Sequence, residues 1–305
     1  MPSRFGLRLA CALVLASAPA CGDRANKEEE PRPKFTTERD FKLLMTGEEP
    51  RTLLRPELSV GMTLEAAVEY DQDLTLSSRG RPSARTPTVG SARLRLEIIE
   101  GTEVESLAAR FTVSDIRGTK IESVADLPSS GVAQLGSWQE VHRVRFDDAP
   151  PLDPSNEAEH AWMADVKRWL VEIMAPVPGE PVGVGASWTR QWDDRPGGAK
   201  VSHQRTFRLE SVSESEAVVT VYGRDSTDTF AANGGSDIRG TVRLVPGKFV
   251  VPQTQTNVTG ELKIRQPGHA LVTGKLSGQL RIQPHGTEAA PQPVAPTEPN
   301  LPDAQ

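Results

Sequence analysis

Val182-Gly-Val-Gly-Ala-Ser-Trp188 is the stretch on which the fold turns. Two closely spaced glycines before a serine and a tryptophan admit two opposite readings. A loop that cradles a dinucleotide pyrophosphate needs a third glycine and a helix behind it. Here the third position holds Trp188, and the neighbouring residues alternate as in a strand, with Ala186, Trp188 and Trp192 beginning one face. The glycines therefore mark a tight turn into a β-strand.

Outward from that turn the same two-residue period governs most of the chain. Val60, Met62, Leu64, Ala66, Val68 and Tyr70 share one side, with Thr63, Glu65 and Glu69 on the other. Ala92, Leu94, Leu96 and Ile98 alternate with Arg93, Arg95 and Glu97, and Leu107, Ala109, Phe111 and Val113 continue the pattern. Beyond the turn come Phe207 and Leu209, then Ala217, Val219 and Val221, then Ile238, Val242 and Leu244. An antiparallel sheet with one wet face needs this alternation. Along residues 272–282, Gly274 and Gly278 share a face with Val272, Leu276, Leu280 and Ile282, which permits close packing or a sharp bend.

One stretch carries a helical period. Asp153 can cap, Pro154 suits the first turn, and Glu157 complements the dipole. Ala158, Trp162, Val166, Trp169, Leu170 and Ile173 form an apolar stripe opposite Glu159, His160, Lys167 and Arg168. Pro176, Pro178 and Pro181 stop it, so a long amphipathic helix is expected over residues 153–176.

The strand-rich stretches on either side of this helix echo one another. Val60-Gly-Met-Thr-Leu64 parallels the glycine turn before Trp188, and Arg95-Leu-Glu-Ile-Ile99 parallels Arg208-Leu-Glu-Ser-Val212. Ser114-Asp-Ile-Arg-Gly-Thr119 recurs letter for letter as Ser236-Asp-Ile-Arg-Gly-Thr241. The expected fold is mainly β (α+β): curved antiparallel sheets from two similar halves, residues 51–152 and 177–285, with the helix between them.

The ends are of another kind. Residues 1–20 read as an export leader: Arg4 and Arg8, a short apolar run over residues 9–16, then small residues up to Ala20. Ala18-Pro-Ala20 satisfies ordinary leader cleavage. Equally, Cys21-Gly22 at the cleavage point resembles the lipobox of bacterial lipoproteins, whose cysteine is acylated, although Ala18 stands where leucine is usual. With Cys11 inside the leader, Cys21 is the single cysteine left and has no internal disulfide partner, which acylation would explain. Residues 21–50 then form a charged tether, from which Phe35, Phe41, Leu43 and Leu44 could dock a short segment on the domain, and residues 286–305 a proline-rich tail with little to bury.

Pro181-Val-Gly-Val-Gly-Ala-Ser-Trp188, placed after a lipoprotein-like leader and a strand-rich first half, resembles an uncharacterised family of bacterial lipoproteins. That resemblance implies an address and an architecture, with no activity attached. Curved antiparallel sheets covered by helix also resemble the carriers that shuttle lipids or lipoproteins across the periplasm, an analogy of fold alone.

The catalytic census is thin. His142, His160, His203, His269 and His285 have no paired metal-ligand spacing, and neither a G-x-S-x-G elbow nor a phosphate-binding Gly-Lys-Ser/Thr motif occurs. Asp147-Asp148 and Asp193-Asp194 could pair as carboxylates, but both fall where strands end, and solvated turn aspartates account for them. Arg79-Gly-Arg-Pro-Ser-Ala-Arg85 is one basic cluster in a chain of net charge −6, which argues against a nucleic-acid partner. Trp162, Trp169, Trp188 and Trp192 line either a core or a cavity for an apolar ligand. The sequence thus points to a non-enzymatic protein without metal or cofactor. It would be held by Cys21 in the bacterial envelope, with the outer membrane as the expected address, and would bind a partner protein or apolar ligand. A lipid or lipoprotein carrier, or a hydrolase without a recognisable motif, are the alternatives.

Overall fold

The computed structural model describes residues 41–78, 81–101, 107–118, 129–136, 139–147, 157–174, 176–194, 201–228, 232–264 and 271–285. Twelve strands and one helix occur among them: β1 (Phe41–Met45), β2 (Thr63–Ser78), β3 (Arg81–Glu100), β4 (Leu107–Gly118), β5 (Ser130–Leu135), β6 (Val141–Phe146), α1 (Glu157–Ile173), β7 (Ser187–Asp194), β8 (Val201–Val212), β9 (Ala217–Asp228), β10 (Ala232–Leu244), β11 (Gln253–Ile264) and β12 (Val272–Pro284). The protein is mainly β. All twelve strands form one antiparallel sheet in the order β1-β7-β8-β9-β10-β11-β12-β2-β3-β4-β5-β6.

Two runs of consecutive hairpins, β2 to β6 and β7 to β12, are joined by β12 lying beside β2 over Val272↔Ser78 to Pro284↔Ala66. The edges then come round to each other. Arg190 on β7 donates from Nη2 to the carbonyl of Val141 on β6, 3.1 Å away, although nine strands separate β7 from β6 in sheet order. Only a strongly curled sheet brings them that close, with the helix inside the curl.

The alternating residues face inward as the period requires. Leu64, Ala66 and Val68 of β2, Leu94, Leu96 and Ile98 of β3, and Phe111 of β4 are buried with Trp162, Val166, Trp169 and Leu170 of α1 in one cluster. A second cluster gathers Trp188, Phe207, Leu209, Val219, Val221 and Val242 with Leu54, Val177 and Val182. The glycine turn does start a strand. Gly185 has φ +81°, its amide donates to the Leu209 carbonyl at 2.8 Å, and β7 begins at Ser187.

Three expectations need correction. The helix is short, 17 residues from Glu157 to Ile173, instead of a long one over residues 153–176. Its C-terminal end unwinds before Pro176, since the proline rings and missing amides at 176, 178 and 181 cannot continue a helix; residues 153–156 lie outside the described residues. The tether expected over residues 21–50 ends earlier, because Phe41–Met45 pairs with β7 as β1. The similarity of the two halves is not supported by the repeated hexapeptide. Ser114 to Gly118 close β4, the third strand of its run, beside a register shift and with Asp115 at φ +50°. Ser236 to Thr241 lie in regular pairing within β10, the fourth strand of its run. The shared letters therefore occupy unlike places in the topology. No helix of the described residues is long and apolar enough to cross a membrane.

Candidate functional site

On the inner face, strands β7, β8 and β9 change character together. Going along each strand from the second core cluster, Trp188 gives way to Arg190, Phe207 to Arg205, and Val221 to Gly223 and Asp225. Register makes these neighbours: Arg190 lies opposite Arg205, Arg205 opposite Gly223, and His203 opposite both Trp192 and Asp225. A polar patch thus sits where the period alone would place core.

Asp225 is its hub. Its Oδ1 is 2.8 Å from His203 Nδ1 and accepts from Arg205 Nη1 at 2.7 Å. Gly223 makes the second contact possible, because a Cβ there would lie 2.4 Å from Arg205 Cδ. Trp192 stacks on the His203 imidazole, with centroids 4.7 Å apart and planes 13° apart. Both guanidinium groups lie over Trp192, Arg190 at 4.4 Å and Arg205 at 5.2 Å, and Arg190 also lies 5.2 Å from the Phe41 ring. Aromatic faces of this kind hold desolvated cations. Burial alone would push the Asp225 carboxyl up, but the His203 hydrogen bond and the charge and hydrogen bond of Arg205 outweigh it and hold it below the usual aspartate value.

The helix adds one group. Glu172, in the last turn of α1, shares a space of about 20 Å³ with Arg190, Trp192, Arg205, Phe207 and Val221. That is room for a single water molecule. Burial pushes the Glu172 carboxyl above the usual glutamate value, against the pull of Arg205, Arg168 and Arg190. Helix and second half of the sheet therefore meet across a charged seam.

No family model matches the chain, and no curated protein matches it. Among solved structures the chain is similar to the crystal structure of a conserved protein of unknown function with hot dog fold from Alicyclobacillus acidocaldarius. The identity is 12% over 75% of this chain and 81% of that one, and the TM-score of 0.11 lends no weight to any argument.

The structure separates the four tryptophans expected to line a core or a cavity. Trp162 and Trp169 pack edge to face at 5.5 Å under the helix, and Trp188 stacks on Phe207 at 5.6 Å while its indole donates to the Pro176 carbonyl at 3.0 Å. These three are core, whereas Trp192 belongs to the seam. Cys21 lies outside the described residues, as do Asp148 and the side chains of Asp194 and His160, and the whole of His269. Asp147 accepts from Ser130 at 3.0 Å, and Asp193, inside β7, accepts from its cross-strand partner Ser202 at 2.7 Å. His142 lies 2.7 Å from the buried Glu140, and His285 is exposed. Among the described residues no group of three or more potential ligands could hold a metal ion. Sequence reasoning missed Glu172, Arg190, His203, Arg205 and Asp225 as a set. The available signal was the alternation itself, traced past the last apolar residue on three successive strands.

Proposed function

We propose that this chain is a lipid-anchored protein of the bacterial cell envelope that acts by binding, with no reaction of its own, its domain receiving a partner protein or an apolar ligand. Cys21 is the anchor, and the outer membrane is the membrane it marks. The observation that carries the binding role is the divided interior. Helix α1 joins one core cluster through Trp162, Val166, Trp169 and Leu170, and meets the other side of the sheet across the charged seam with room for one water. Among the described residues the space between helix and seam is too small for an apolar molecule, which favours a partner at the surface.

A carrier is the second reading, and the seam is what favours it. Apolar clusters separate reluctantly, but a helix held along one flank by ionisable groups can part there when their charges change. Native mass spectrometry of protein extracted from membranes tests both. The expected species is the chain from Cys21 with its acyl groups and no further lipid. Phospholipid that leaves only on denaturation would replace the partner reading with the carrier. Radiolabelled palmitate that still enters a Cys21→Ala chain would overturn the anchor.

A further inference from the structure

Six of the nine large hydrophobic side chains that stand exposed on described residues lie at one end of the sheet: Leu44, Met45, Leu53, Val60, Val184 and Val250. This is the end at which β2, β7 and β11 begin and β1, β10 and β12 finish. Backbone hydrogen bonds join the segments that carry them. The Glu48 amide donates to the Val184 carbonyl at 2.9 Å, Gly183 to Thr46 at 2.9 Å, and Gly247 to Leu54 at 3.1 Å, while Thr52 and Val182 bond each other at 2.8 and 3.0 Å. Gly183 lets the first two segments touch, since a Cβ there would lie 1.6 Å from the Glu48 carbonyl oxygen. The result is a rim from three parts of the chain that holds Met45, Leu53, Val184 and Val250 outward, with exposures of 40–57%. Exposed apolar groups gathered in this way mark an interaction surface.

The chemistry of the rim says what covers it. Its exposed apolar groups are aliphatic or thioether, whereas protein–protein hot spots draw on Trp, Tyr and Arg and under-use Leu and Val. Glu48, Glu49, Glu57 and Glu180 are nearly balanced by Arg51, Arg55 and Lys248, so the rim has no strong field with which to select a charged partner. Strand β1, which runs into the rim at Met45, starts 20 residues after Cys21, a tether of at most about 70 Å. We infer that this end of the domain rests on a bilayer, with Leu44, Met45, Leu53, Val184 and Val250 inserted at the boundary between neutral headgroups and acyl chains. The inference rests on the lipid-anchor reading for how the chain reaches a membrane, but insertion itself belongs to the rim and is tested without the lipid.

Residues 21–305 carrying Cys21→Ala are sedimented with phosphatidylcholine vesicles. Binding is expected, and it should change by no more than about twofold when a fifth of the lipid is made anionic or salt is raised tenfold. Met45→Ser, Leu53→Ser and Val184→Ser together should weaken it by about tenfold or more. Tyr222→Ser, removing a ring 50% exposed away from the rim, should leave binding unchanged. A polarity-sensitive dye on Met45→Cys should shift to the blue on vesicles and one on Tyr222→Cys should not, which keeps the test valid where the triple variant misfolds. Absence of binding by the parent chain, equal losses in rim and control variants, or a dye at position 45 that does not shift would overturn the inference. So would a dimer in light scattering that the rim substitutions abolish without vesicle binding, which would assign the rim to a second copy of the chain. Vesicle binding retained by a chain that takes up no palmitate in cells would defeat the anchor alone.

Discussion

Helix α1 offers Trp162, Val166, Trp169, Leu170 and Ile173 to one flank of its sheet and Glu172 to the other. On the first flank Tyr70 lies 5.7 Å from Trp169 and the surrounding positions of β2, β3 and β4 are buried aliphatic or phenylalanine side chains. On the second, the facing positions are Arg190, Trp192 and Arg205, supported by Asp225 and His203. Burial of apolar area does not depend on pH, but a charged seam does. The seam flank is therefore the one more readily loosened by a change in ionisation, and the helix has a mainly apolar, fixed side and a conditional side.

The largest effect should come from the fixed side. Trp169→Ala empties the centre of the first cluster and should cost about 3–5 kcal/mol in denaturant unfolding; a loss no greater than that of a seam variant would abolish the distinction. Asp225→Asn removes the charge that serves two cations and should cost about 1–3 kcal/mol at neutral pH. Because its folded pKa is depressed, that contribution is present above the ordinary aspartate value and lost as pH falls through the folded one. Wild type and variant should therefore begin to draw together in melts only as pH falls below the ordinary aspartate value of about 4.

Glu172→Gln should act with the opposite sign. A raised folded pKa gives stability that is full below the unfolded glutamate value and lost as pH rises through the folded one. Thermal melts should show the variant more stable than wild type at mildly alkaline pH and equal to it in acid; a variant less stable at alkaline pH would show that Glu172 ties the seam as an anion. The smallest effect is expected from Glu216→Ala, which breaks an exposed ion pair with Arg243 at 3.0 Å and should change stability by no more than about 0.5 kcal/mol.

Much of the strand content was legible because a half-buried strand writes its faces into the sequence at every second residue. The core positions of β2, β3, β4, β9 and β12 obey that rule, as does the strand after the glycine turn. What the rule lacks is pairing between distant segments. Nothing local to Val272 or to Phe41 says that β12 lies beside β2 or β1 beside β7. The repeated hexapeptide misled for a related reason. Identical side chains fit a bulge when Arg93 can reach Asp115 at 3.0 Å, and fit a regular strand when neighbours on both sides are paired, as in β10. The seam escaped notice because inward positions were recognised by apolar character, and Arg190, Arg205 and Asp225 are inward and charged.

The placement of β12 has a consequence for how the chain acquires its shape. Its 13 residues, Val272 to Pro284, are the last strand among the described residues, yet they stand at the middle of the sheet, between β11 and β2. Until they emerge, β2 to β6 and β7 to β11 have no backbone ladder between them, and the curl that brings Arg190 to Val141 cannot close. The order of the strands thus delays completion of the native sheet until β12 has been made.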